Sequence, residues 1–303
     1  MIGSTVADVL IHVDHLPSLE EDINPFGQEL RLGGCCYNAA RMLQLFKVKH
    51  TLFSPVGSGL FGEFVKEQLA GSGRTPVLET PEVNGCCYCI IDGQGARTFL
   101  AVHGAEYKFR KEWFDALDAS AYSDVYLCGL EVEEDTGIHM VEFLQAHPQL
   151  NIWFAPSARI LHVQKEKMNA ILDCHPIVHL NRQEAYSWLK REGLFSGVIE
   201  DSEGILSALA KRTGNAVIMT DGARGAYLYD NGRVIYEPAI PTTAVDGTGA
   251  GDSHIGTIMA LTMKGASYEE AMHIASIVSS RVVSRTGAVL SDEEFSSLLL
   301  GQD

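Results

Sequence analysis

The stretch Val245-Asp246-Gly247-Thr248-Gly249-Ala250-Gly251-Asp252-Ser253 sets three glycines between two aspartates. An apolar, helix-compatible run follows, from Ile255 to Met263. Glycine lets the backbone turn tightly and brings N–H groups close to a ligand. A helix starting near Ala250 would aim its free N–H groups, and the positive end of its dipole, into that turn. Such a place suits a phosphate or a developing anion. A carboxylate at Asp252 would repel a resting anion, so it needs another task. Taking the proton from a hydroxyl about to attack a phosphoryl group is such a task. The stretch therefore reads as a phosphotransferase centre with Asp252 as general base. The competing reading is plain stabilisation of a helix start by an acid in its first turn. No Gly-Lys-Ser/Thr follows, so this is not a Walker A loop. Its place near the C-terminus separates it from a dinucleotide fingerprint, which opens the first βα unit.

The elements that must position this stretch follow from pattern. Val6 to Val13 reads as a strand carrying one acid, Asp8, which the residues alone place on the surface. Leu16 to Gln28 is loop-like. Paired glycines at Gly33 and Gly34 open a helix running to about Phe46, with Asn38 offering a donor and an acceptor. Thr51 to Val56 is a strand, and a helix runs from about Glu63 to Ala70. Two apolar runs, Cys86 to Ile91 and Thr98 to Val102, flank Asp92-Gly93-Gln94-Gly95, a hairpin signal. Cys86 to Ile91 is apolar throughout, so both faces of that hairpin need cover. From Asp124 to Met219 strands alternate with helices, which predicts a mostly parallel sheet with helices on both faces. Expected strands are Asp124 to Cys128, Asn151 to Phe154, Ile177 to Leu180 and Ala216 to Met219. Expected helices are Asp135 to Ala146, Ile160 to Leu172, Gln183 to Arg191 and Asp201 to Arg212. A second hairpin, Ala226 to Tyr236, and two closing helices, Tyr268 to Ser284 and Glu293 to Leu300, complete the chain. In such open sheets ligands sit outside the C-terminal strand ends. Asn181 with Glu184, Thr220-Asp221-Gly222 and the glycine stretch all fall there.

The 303 residues suffice for one large α/β domain, and 46% hydrophobic residues supply its core. The net charge of −16, with no basic cluster, argues against nucleic acid or an anionic membrane surface as partner. Seven cysteines in apolar company fit reduced thiols and a cytoplasmic setting. The N-terminus lacks the pattern of a signal peptide, and no apolar run approaches the ~20 residues of a membrane span. Cys35, Cys36, Cys86, Cys87 and Cys89 would converge if the hairpin folded over the Gly33 turn. Their spacing is not a repeated Cys-x-x-Cys, so apolar packing is preferred to a zinc or redox site. His175 and His179 lie on a strand pattern and read as no metal site. His103 is either a loop residue or a substrate contact.

Together these motifs resemble the ribokinase-like, PfkB-type carbohydrate kinases over nearly the whole chain. Gly33-Gly34 with Asn38 resembles that family's N-terminal signature, and Asp246 to Asp252 its C-terminal one. Asn181-Arg182-Gln183-Glu184 is similar to its Asn-x-x-Glu, and Thr220 to Gly225 to its Thr-x-Gly-x-x-Gly. Gly104-Ala105 and Gly287-Ala288 fall at family positions as well.

The resemblance implies a ribokinase-like, doubly wound α/β fold. It would be one domain over residues 1–303, with a β-sheet lid from about 10–32 and 84–106. It implies Asp252 as base and the Gly249, Ala250 and Gly251 N–H groups as anion hole. It implies Glu184 with Asn181 beside Mg²⁺, and Thr220, Gly222 and Gly225 at ATP. Asp8, Gly33, Gly34 and Asn38 would hold the acceptor. Asp246 and Thr248 match a monovalent-cation (K⁺) site of some members. Departures from the family pattern are Gly59, Ala155 and Ser157 before Arg159, Glu106, His254 and Ser276. They bear on the acceptor rather than the chemistry, and Arg159 remains able to reach an anionic group. The expected function is ATP- and Mg²⁺-dependent phosphorylation of a primary hydroxyl of a small sugar. A nucleoside kinase of adenosine or pseudouridine type is the alternative, with Tyr37 or Tyr88 as a wall for the base. A non-catalytic sugar sensor stands behind both. The two-faced apolar hairpin predicts a homodimer through the lids.

Overall fold

A computed structural model describes residues 1–301. In chain order the elements are β1 Val6–His12, β2 Gly27–Gly33, α1 Cys35–Leu45, β3 Pro55–Ser58, α2 Gly59–Gly71, β4 Leu78–Val83, β5 Cys86–Ile91 and β6 Arg97–Val102. Then come α3 Lys111–Asp115, β7 Asp124–Cys128, α4 Gly129–Glu133, α5 Ile138–Ala146, β8 Asn151–Ala155, α6 Lys165–Leu172, β9 Ile177–Asn181, α7 Arg182–Arg191, α8 Ser202–Thr213 and β10 Val217–Thr220. The chain closes with β11 Ala226–Asp230, β12 Arg233–Glu237, α9 Ala250–Thr262, α10 Tyr268–Val283 and α11 Asp292–Leu299.

The large sheet has the order β12-β11-β10-β9-β8-β7. Its four strands β7 to β10 run parallel, and β11 and β12 add an antiparallel edge. Successive side chains on a strand point to opposite faces, so a sheet covered on both sides needs apolar residues at every position. The strands show this directly. Val125, Leu127, Ile152, Phe154, Val178, Leu180, Val217 and Met219 pack on one face with α5 to α8. Tyr126, Cys128, Trp153, Ala155, Ile177 and Ile218 pack on the other with α1, α9 and α10. The chain thus forms the doubly wound α/β architecture expected from the strand–helix rhythm.

A smaller sheet has the order β2-β1-β5-β6. β1 pairs parallel with β5 and antiparallel with β2, while β5 and β6 form the expected hairpin. Two details differ from the sequence reading. β1 belongs to this small sheet from Val6 onward, and β2 begins at Gly27, inside a stretch read as loop. Residues 28–30 of β2 are exposed at the sheet edge, so the strand carries no apolar alternation to announce it. β4 was not expected either: Leu78–Val83 is largely exposed and holds Pro81, and it pairs only with β3.

The glycine stretch is anchored by the contact of α1 with α9. A Cβ at Gly256 would lie 2.5 Å from the Ala39 carbonyl oxygen, so only glycine lets the two helices approach this closely. Asn38 precedes Ala39, and Asp252 lies four residues, about one turn, before Gly256. The backbone contact therefore sets how near those two side chains come.

Candidate active site

α9 begins as the glycine stretch predicts. Its N-cap is Gly249, with φ 76° and no side-chain capping bond. A Cβ there would meet the Ala288 carbonyl oxygen at 2.4 Å, so both conformation and space call for glycine. The Ala250 N–H makes a 3.3 Å bond to the Gly247 carbonyl, and Ser253 N–H donates to Gly249. The N–H groups of Gly249 and Gly251 have no acceptor among the described residues. They remain free for an anion at the helix start, whereas Ala250 would exchange a long internal bond for one.

Asp252 sits half-buried in the first turn of α9. Asn38 Nδ2 donates to its Oδ2 at 2.9 Å, joining residues 214 apart in sequence. Burial raises the Asp252 carboxyl to about 6, against the opposing bonds from Asn38 and Cys35. A base titrating there is ionised at neutral pH yet basic enough to take a proton. Asn38 is 4% exposed, and its Oδ1 finds no hydrogen-bond partner. The carboxylate fixes the amide orientation, because an oxygen turned toward it would be repelled. A buried acceptor without a donor is costly, and a hydroxyl bound beside Asp252 would satisfy it.

Asp8 is also half-buried, not on the surface as its place in an apolar strand implied. It leans over Gly33: a Cβ on Gly33 would lie 1.9 Å from Asp8 Oδ2. Burial, and then the charge of Asp252, push its carboxyl up to about 7. Two carboxylates within electrostatic reach thus come together, one beside Gly33 and the other beside Asn38.

Asn181 and Glu184 stand at the C-terminal end of β9. They form a capping box on α7, with Asn181 Oδ1 accepting from Glu184 N at 2.8 Å and Glu184 Oε2 from Asn181 N at 2.9 Å. The Asn-x-x-Glu spacing is thereby accounted for locally by the cap of α7. The cap engages Glu184 through Oε2. Burial and the Asp252 charge both raise the Glu184 carboxyl, so a cation placed here would relieve an unfavourable charge. A hard divalent cation fits a carboxylate in that situation. Thr220 pairs with Asn181 across the parallel β9–β10 register, which puts it on the same rim. Gly222 and Gly225 follow in the turn after β10, and Asp221, just before Gly222, is locked by Arg182 at 2.7 Å and Arg224 at 2.8 Å.

Asp246, expected beside a monovalent cation, has both carboxylate oxygens engaged by donors. Its Oδ1 is bonded by Arg97 Nη1 and by Thr248 N–H at 2.7 Å, and its Oδ2 by Gly287 N–H at 2.8 Å. Arg97 Nη1 bonds Thr248 Oγ1 as well. Burial opposes ionisation of Asp246, but Arg97 and the N–H donors hold its carboxyl below the usual range.

Other residues singled out in the sequence take structural tasks. Glu106 is fully buried and accepts from Gly85 N–H at 2.8 Å and Gly104 N–H at 3.0 Å, fastening the two ends of the β5–β6 hairpin. Arg159 is engaged by both carboxylate oxygens of Glu133 rather than reaching the site. His254 pairs with His179 at 3.0 Å, and burial keeps both rings neutral by lowering their basicity. All seven cysteines are free thiols, and Cys35 lies beside both Cys128 and Asp252. Sequence spacing gave no signal for Cys35 beside Asp252 or for Arg97 beside Asp246.

The chain is matched over residues 1–294 by the family model described as pfkB family carbohydrate kinase. It is 28% identical over 288 residues to an uncharacterised sugar kinase of Escherichia coli K12, covering 95% of this chain and 88% of that one. It is 25% identical over 284 residues to a nucleoside kinase of Thermoplasma acidophilum, covering 93% and 88%. Its fold is similar to that of ribokinase from Thermotoga maritima, with TM-score 0.84, 20% identity, and 99% and 98% of the chains covered. It is similar also to Arabidopsis thaliana ribokinase complexed with ribose and ATP, with TM-score 0.78, 20% identity, and 98% and 97% covered. The glycine loop, the paired acids at the sheet's C-terminal rim and the match along nearly the whole chain converge: this protein belongs to the pfkB family of carbohydrate kinases.

Proposed function

We propose that this chain transfers the γ-phosphoryl group of ATP to a primary hydroxyl of a small sugar, with Asp252 as general base. The observation that carries the reading is the Asn38–Asp252 pair: a raised carboxylate held at 2.9 Å by an amide whose own oxygen lacks a donor. A sugar bound beside this pair would give the proton of its attacking hydroxyl to Asp252, while a neighbouring hydroxyl donates to Asn38 Oδ1. Asp8, poised over Gly33 and Gly34, would take a further hydroxyl. As the proton leaves, the oxygen attacks in line, and the N–H groups of Gly249, Ala250 and Gly251 receive the charge spreading over the transferring group. Thr220, Gly222 and Gly225 would border the nucleotide, with Asn181 and Glu184 beside its phosphates. Glu184 would hold Mg²⁺ through water; when bound, that ion neutralises phosphate charge.

The small sheet, residues 6–33 and 86–102, would serve as a lid that excludes water from the transfer. Exposed Phe99, Leu100 and Val102 on β6 support a homodimer formed through these lids, to be checked by light scattering. Free thiols suit a reducing, cytoplasmic setting. Among the described residues no helix is long and apolar enough to cross a membrane.

A nucleoside acceptor is the second reading, favoured by the likeness to the Thermoplasma acidophilum nucleoside kinase. ADP release measured across sugars and nucleosides, adenosine and pseudouridine included, separates the two. Turnover confined to nucleosides would replace the sugar reading. Tight ligand binding with no ADP from any acceptor would leave a sugar-binding sensor instead.

A further inference from the structure

We infer that the guanidinium of Arg97, carried on the hairpin, replaces a monovalent cation at the Asp246–Thr248 loop, so that this chain needs no K⁺. The inference rests on the kinase reading above and concerns how its anion-binding loop is charged.

A cation held at this loop by the side chains of Asp246 and Thr248 would draw on Asp246 Oδ1 and Thr248 Oγ1. Those two oxygens are the ones that Arg97 Nη1 bonds. The remaining oxygen of Asp246 accepts from Gly287 N–H, and Oδ1 accepts additionally from Thr248 N–H. Every partner of the Asp246 carboxylate is thus a donor, and one donor already bears a full positive charge. A second positive charge on the same oxygens would be repelled, and Asp246 Oδ1 already accepts from two donors. The pair is also dry: the Asp246 side chain is 1% exposed and that of Arg97 14%. An arginine is always charged and presents several N–H donors in a fixed plane, so it can bond a carboxylate and a hydroxyl at once.

The substitution has a mechanical side. Arg97 opens β6, whereas Asp246 lies three residues before Gly249, the N-cap of α9, whose N–H belongs to the proposed anion hole. The loop is fixed from behind by bonds of Val245 and Asp246 N–H to the Val283 carbonyl, at 2.7 and 3.0 Å. A monovalent ion would reach the loop from solvent whatever the hairpin does. An arginine reaches it only when the hairpin lies over the site. Closure over the acceptor and charging of the anion loop then become one event.

The test compares KCl with tetramethylammonium chloride at equal ionic strength, for the wild type and for Arg97→Met. The wild type should turn over within about twofold in the two salts, the residue of general screening, and should unfold at the same temperature in both. Arg97→Met should lose roughly tenfold to a hundredfold in tetramethylammonium, the cost of an unpaired buried carboxylate. It should regain most of that with K⁺ and show a K⁺-specific rise in Tm of about 2–4 °C. Wild-type turnover that collapses without K⁺ overturns the inference, as does a loss in Arg97→Met that no cation restores. Should Arg97→Met not fold, Arg97→Lys keeps a positive charge and should stay indifferent to K⁺; K⁺ activation of that variant counts against the inference. The Tm comparison needs no turnover, so it decides this point even if the phosphoacceptor reading fails.

Discussion

Replacing Asn38 by leucine isolates the hydrogen bond on which the proposed base depends. Leucine has the same branched side-chain skeleton as asparagine, so at buried Asn38 the change removes the donor and adds only the extra bulk of two methyl groups. A hydrogen bond to a charged partner contributes about 1.5–3 kcal/mol, and one pKa unit corresponds to about 1.36 kcal/mol. Losing the 2.9 Å bond to Asp252 should therefore raise the carboxyl from about 6 by roughly one to two units. The direction is fixed, because Nδ2 stabilises only the ionised form. The assay is kcat/KM against pH with ADP release as readout, which reports groups of the free enzyme. The wild type should lose activity as pH falls through the range where Asp252 and Asp8 titrate as a linked pair, about 6 and about 7. In Asn38→Leu the acid limb should move to higher pH, leaving a variant more active at about pH 9 than at about pH 7. An acid limb that overlays the wild type, in a variant with unchanged Tm, would refute Asp252 as the group being titrated.

Two further predictions bear on the same space. Asp252→Asn should fold and lose roughly 10²–10⁴ in kcat, the range for removing a general base. It should also gain stability with a particular pH signature. The Asp252 carboxyl is raised on folding, from 3.8 to about 6, so its contribution is full below its unfolded value and is lost as pH rises through about 6. The variant should match the wild type near pH 4 and exceed it by roughly 1–3 kcal/mol near pH 8, read by chemical denaturation; an advantage largest at low pH would contradict the burial argument. Gly33→Ala must displace Asp8, since its Cβ would lie 1.9 Å from Oδ2. It should raise the acceptor KM about tenfold to a hundredfold while sparing the KM for ATP, and an unchanged acceptor KM would remove Asp8 from the acceptor site.

Much of the fold was open to a reader of the sequence because local rules governed it. The glycine stretch foretold the start of α9 at Ala250, and Asp92 to Gly95 foretold the β5–β6 hairpin. The parallel strands were legible from continuous apolar runs, which a sheet covered on both faces requires. Exposed strands were not: β2 and β4 bury too little to show a period. Nor does any pattern say which sheet a strand joins, so the placement of β1 beside β5 came only from the structure. The site divides the same way. Asp252, Asn38 and Glu184 stood out through their neighbours in sequence. Their partnerships did not, because a contact across 214 residues, or the 149 between Arg97 and Asp246, leaves no trace in spacing. The Asn181–Glu184 cap carried a helix-start signature that the family likeness overshadowed.

The buried carboxylate of Glu106 has a consequence for how displacement is transmitted. By holding Gly85 and Gly104 to one point, it fixes the root of the hairpin, and the pairing of β5 with β1 makes the hairpin and the small sheet one stiff arm. Arg97 sits at the far end of β6, whose six residues span about 20 Å. A rotation of about 5° at the root would swing the guanidinium through roughly 1.7 Å over that length, enough to make or break a hydrogen bond. Leverage of this kind lets a small tilt, too slight to disturb the packing beneath, act as a switch at the phosphate loop.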